Sequence, residues 1–103
     1  MSVHLTTAAV ELREVLARHM RELEREQVER FSTAWFFLRY LKRIQRRLAA
    51  ESTARAAEGQ VRGLTRFYVD RVEVGSALAE RFDEIIAAHR AALRAEHGTS
   101  ATA

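Results

Sequence analysis

The sequence predicts an all-α fold, an antiparallel bundle of three or four helices. Three observations point there. The 103 residues are rich in Ala, Arg, Glu and Leu, contain no Pro, Cys or Asn, and include only four Gly, so strong helix formers dominate and the usual turn-makers are scarce. Apolar residues recur at intervals of three and four along most of the chain, which is the spacing of one helix face. Alternating Val/Ile/Thr runs that would mark half-buried strands are absent. Hydrophobic residues at 48% and charged residues at 30% suit a folded globular chain. We read one domain over 1–97 and a disordered tail over 98–103.

The first helix is expected to start at Thr6 or Thr7, either of which can cap it, with Glu11 in its early turns. Leu5, Ala8, Leu12, Leu16, Met20 and Leu23 form its apolar stripe. On its outer face Glu14 precedes Arg18 and Glu26 precedes Arg30 by four residues, the favourable order for exposed pairs. Ser32-Thr33 is the next candidate cap and sets a turn at 31–33. A second reading competes with it. Met20, Gln27, Ala34, Leu41 and Leu48 fall at steps of seven, so one coiled-coil-like helix could run from about 6 to about 50, about 67 Å long. Such a helix would overhang a single copy of the chain and demand a dimer. Gln27 and Arg30 are polar at the seam positions of that helix, which favours the turn.

Small and polar residues over 49–60, followed by Gly59 and Gly63, place a boundary within 50–60. A third helix carries Val61, Leu64, Tyr68, Arg71 and Val72. Gly75 is suited to cap it and Ser76 to open the last helix. That helix has the cleanest stripe in the chain: Leu78, Phe82, Ile85, His89 and Leu93, ending at Gly98.

Charge is distributed unevenly. Residues 32–49 hold Arg39, Lys42, Arg43, Arg46 and Arg47 and no acid, against a net charge of +3 for the whole chain. A local basic stretch on a nearly neutral body reads as a docking surface. On a helical wheel, Phe37, Leu41, Ile44 and Leu48 face the core, while Trp35 heads the basic stripe. Trp35, Phe36, Phe37 and Leu38 together cover the full circumference of the helix, and a turn that is apolar all round is normally buried all round. We therefore expect Phe31, Trp35, Phe36 and Leu38 to form an interface, with self-association as a homodimer the first expectation. The alternative is that the chain's other helices fold over Trp35 and Phe36.

The five cations then contact an acidic protein surface or, alternatively, nucleic-acid phosphates; an anionic membrane surface is a third option, and a solvated face is the bland one. No helix-turn-helix, zinc-finger or basic-zipper pattern is present. His19 and His89 lie on or beside apolar stripes of different helices and could meet as metal or haem ligands. Against that, Leu16 and Ile86 stand where a Glu-x-x-His carboxylate would be. No serine has a base at useful spacing and no phosphate loop is present, so the reading leans away from an enzyme and calls for no cofactor. The longest apolar run, 34–38, is too short to span a bilayer. The first residues lack a signal-peptide pattern and there is no cysteine, so we expect a cytoplasmic protein.

Overall fold

Three of the four helices start on a hydroxyl. In the computed structural model, which describes the backbone of residues 6–101 and the side chains of 6–97, the elements are α1 Thr7–Arg25, α2 Thr33–Glu51, a 3-10 turn Arg55–Ala57, α3 Glu58–Arg71 and α4 Ala77–Ala101. Thr6 Oγ1 accepts from Ala9 N–H at 3.0 Å, Ser32 Oγ from Trp35 N–H at 3.2 Å and Ser76 Oγ from Ala79 N–H at 3.2 Å, each satisfying a donor the first helical turn leaves open. Thr53 Oγ1 does the same for the 3-10 turn, accepting from Ala56 N–H.

The long-helix alternative does not occur. α1 stops at Arg25 and the chain turns over 26–32, earlier than Ser32-Thr33 alone implies. Two residues there adopt the left-handed conformation, Gln27 at φ 52° and Phe31 at φ 67°. Gln27 occupies a place usually given to glycine, which is why the end of α1 carries no clear sequence signal. The longest dimension of the molecule, 46 Å, is also well short of a continuous helix over 6–50. At the other boundary α3 ends at Arg71 with Val72 as its cap, so Gly75 does not cap the helix; at φ 81° it makes the turn that leads into α4. α4 runs past Gly98 to Ala101, beyond the end read from the sequence; residues 102–103 lie outside the described part.

Consecutive helices run antiparallel. Arg13 donates to the Leu48 carbonyl at 2.7 Å and Lys42 meets Glu24 at 3.7 Å, fixing α1 against α2. Gly63 lies beneath Tyr40, and Phe67 lies against Phe36 and Tyr40, fixing α3 against α2. α1 packs most extensively on α4. The core holds Leu12, Leu16 and Leu23 of α1, Phe37, Leu41, Ile44 and Leu48 of α2, Leu64 of α3 and Ile85 of α4. Tyr68 and Phe82 stack face to face, 4.0 Å between centroids, joining α3 to α4. At the far end of the bundle α4 holds the α2–α3 connection: His89 Nε2 donates to the Ala54 carbonyl at 2.8 Å, and the Glu96 carboxylate accepts from the backbone N–H groups of Ala54 and Arg55. Among the described residues no helix is long and apolar enough to cross a membrane.

Candidate interaction face

The turn that is apolar all round divides its circumference. Phe37 is fully buried and Leu38 is only 6% exposed, so Leu38 belongs to the core and not to an outer interface. The reason is that α2 has neighbours on two sides. α2 touches α1 on one side and α3 with the 3-10 turn on the other, and this buries a wider arc than the Phe37–Leu48 stripe alone. Trp35 and Phe36 are half-buried, and Phe31 is 64% exposed. Trp35 and Phe36 are thus neither enclosed by the chain's own helices nor left bare.

What covers them is a row of rings roofed by arginines. Phe31 and Trp35 meet edge-on at 5.0 Å between centroids, and Trp35 and Phe36 at 4.9 Å. Phe67 of α3 extends the row, 6.4 Å from Phe36 and 5.2 Å from Tyr40. Three guanidinium groups lie over ring faces: Arg30 over Phe31 at 5.0 Å, Arg39 over Trp35 at 4.9 Å and Arg43 over Tyr40 at 5.4 Å. At exposed sites such contacts contribute about 0.5–1 kcal/mol each, and the aliphatic stems shield the rings from water.

The five predicted cations do not act as one stripe. Lys42 is drawn to Glu24. Arg47 pairs with Glu51 at 3.0 Å and donates through Nε to the Ala56 carbonyl at 3.2 Å. Arg46 lies beside Arg13, Met20 and Gln45 in a depression between α1 and α2. Only Arg39 and Arg43 border the rings. Arg30 joins them, and Arg66 and Arg71 stand on the α3 side beside Phe67. Among the described residues no carboxylate pairs with Arg30, Arg39 or Arg43. The α2 wheel finds Arg39 and Arg43. Arg30, Tyr40, Phe67 and the α3 arginines depend on which helix lies next to α2, and a single-helix pattern does not carry that information.

Both histidines on apolar stripes are buried, His19 to 3% and His89 to 4% exposure, and they do not meet. His89 binds the Ala54 carbonyl. His19 packs where α4 begins, and His89 lies eight residues beyond Arg81, about 12 Å along that helix. Arg81 grips α1 there, donating to His19 Nδ1 at 2.8 Å, to Glu22 at 2.6 Å and to Glu26 at 3.0 Å. A guanidinium can only donate, so Nδ1 accepts and the neutral ring carries its proton on Nε2, 3.4 Å from Glu84 Oε1. Glu84 is in turn in contact with Arg18. Burial, reinforced by the charges of Arg18 and Arg81, lowers the His19 pKa from 6.5 to about 4. The hydrogen bond from Arg81 holds the Glu22 carboxyl below its usual range. Among the described residues no three His, Cys, Asp or Glu side chains are grouped to hold a metal ion. The sequence signal for Arg81 is weak but present: His19, Glu22 and Glu26 at i, i+3 and i+7 share one face of α1.

No protein-family model matches the chain, and neither a curated protein nor a solved structure matches it.

Proposed function

We propose that the protein is a non-enzymatic interaction module, working in a reducing compartment such as the cytoplasm, that docks an acidic partner on the aromatic–arginine face of α2. One observation carries this reading. Arg30, Arg39 and Arg43 are held over ring faces without a carboxylate partner among the described residues, while the neighbouring Lys42 and Arg47 are neutralised within the chain. Such a surface offers apolar area and positive charge together, the combination that recognises an acidic surface bearing apolar groups. Phe31 strengthens the case. Holding a bulky residue at φ 67° costs about 1–2 kcal/mol, and here the strain projects a ring into solvent.

A two-fold dimer through this face fits less well than an acidic partner, because it would press Arg30, Arg39 and Arg43 against their own mates. The buried histidines are engaged within the fold, and the hydroxyls of Ser32 and Ser76 are spent on helix caps, which supports a module without catalysis.

Binding of labelled poly-glutamate, set beside a labelled single-stranded oligonucleotide at low and physiological salt, tests the proposal. Poly-glutamate binding is expected, with loss of at least tenfold in the double variant Arg39→Glu, Arg43→Glu. Phe31→Asn keeps the left-handed turn, which asparagine tolerates, and removes the ring; it should weaken binding while leaving the helical circular dichroism intact. No binding of poly-glutamate at low salt, or a clear preference for the oligonucleotide with a steep salt slope, would end the acidic-protein reading.

A further inference from the structure

Beside the exposed rings, α2 and α3 enclose an open trough. Phe36 and Tyr40 of α2 and Gly63 and Phe67 of α3 make its floor, over a volume of about 400 Å³. Past Phe36 and Tyr40 it continues into a second depression of about 530 Å³ bordered by Arg30, Phe31, Trp35, Arg39 and Arg43. Cations stand on both banks, Arg39 and Arg43 on α2 and Arg66 and Arg71 on α3, against the single acid Asp70. The floor is aromatic and both edges are positive.

Gly63 sits inside α3 with no left-handed backbone to demand it. A Cβ at this position would meet Tyr40 Cε1 at 3.4 Å, an ordinary contact. Neither backbone nor packing requires glycine, yet glycine weakens a helix interior. Because Gly63 lines the trough without a side chain, its effect in the folded molecule is a notch in the floor beside the Tyr40 ring.

Resting on the proposed function above, we infer that this trough is the anchor site, and that the partner is an acidic amphipathic helix. Its apolar stripe lies on Phe36, Tyr40 and Phe67 with one side chain entering the notch at Gly63, and its acidic flanks face the arginines of both banks. A helix whose apolar stripe is bordered by acids on each side matches a floor with two positive edges. A nucleic-acid strand matches it less well, because its charge runs along one edge and its bases need open ring faces. Arg30, Arg39 and Arg43 already cover faces of Phe31, Trp35 and Tyr40.

Selection from a displayed library of random peptides, about 18 residues long so that helices can form, tests the inference with a pool of single-stranded oligonucleotides as competitor. The enriched peptides, made synthetically, should be acidic and carry Leu, Phe or Trp at i, i+3 or i+4, and i+7. Replacing one anchor by Ser should weaken binding about ten- to hundredfold. Gly63→Leu, which fills the notch, should shrink that Leu-to-Ser ratio to about twofold. Gly63→Ala, the milder change, should shrink it in part, with circular dichroism reporting that each variant is folded. Acidic peptides enriched without spaced apolar anchors, or a ratio unmoved in a folded Gly63 variant, would overturn the anchor site and leave the acidic-partner reading standing. Enrichment of non-acidic sequences, no enrichment, or displacement of every peptide by the oligonucleotide pool would overturn both.

Discussion

The α1–α4 seam and the α2–α3 face carry similar residue types and use them in opposite ways. In the seam, Arg81 is 15% exposed and bonds to α1 and its C-cap, through His19, Glu22 and Glu26. On the face, Arg30, Arg39 and Arg43 lie over rings and pair with no carboxylate among the described residues. A guanidinium among carboxylates holds two helices in register, whereas one lying on an aromatic ring keeps its charge available to whatever approaches. The difference separates what maintains the fold from what remains on offer to a partner, although both regions look like arginine-rich helix in the sequence.

The contrast can be broken at several points. Acid should act on the seam first. His19 is neutral in the fold with its pKa lowered to about 4, so the unfolded chain takes up a proton before the folded one does. The seam's contribution is fully present above pH 6.5 and drains away as pH falls through about 4, a loss of up to about 3 kcal/mol. Urea titrations across that window should show the slope, and His19→Gln should flatten it. Glu22, whose pKa is lowered first by the Arg81 hydrogen bond, adds a further loss that begins as pH falls past its ordinary value of 4.5 and continues through the lowered one. A stability that is level from pH 6.5 to 4 would show that His19 is not held neutral by the seam.

Arg81→Ala comes next. It strips a mostly buried stem and leaves His19 Nδ1 without its donor, at about 2 kcal/mol, which for a domain of this size lowers the melting temperature by about 8–16 °C. Gly63→Ala should move stability the other way, up by about 0.5–1 kcal/mol, since nothing in the fold needs the glycine. Smallest of all, Arg39→Gln and Arg43→Gln should each cost about 0.5 kcal/mol or less in thermal or chemical unfolding. If either face arginine matched Arg81 in its effect on stability, the division between fold and face would collapse.

Much of the architecture was legible because it is periodic. Phe37, Leu41, Ile44 and Leu48 recur at helical spacing and all are buried, and Ser32 and Ser76 cap the helices they precede. The end of α1 was less legible, because Gln27 makes the left-handed turn that glycine would have announced. Leu38 was misassigned to an outer surface for a different reason: one helix wheel shows which residues share a side but not how many neighbours the helix has. The candidate face divides the same way. Trp35, Phe36, Arg39 and Arg43 follow from α2 alone. The neutralisation of Lys42 by Glu24, the arrival of Phe67 beside Tyr40 and the notch at Gly63 follow from the antiparallel register between helices, which is set by packing that local patterns do not encode.

The hold of α4 on the α2–α3 connection has a consequence for the order of synthesis. Glu96 reaches back 42 residues to the Ala54 N–H, yet a chain emerges from its N-terminus first. A nascent chain halted before residue 96 already contains both walls of the trough but lacks the carboxylate that ties their connection, so that tie closes only after α4 has been made.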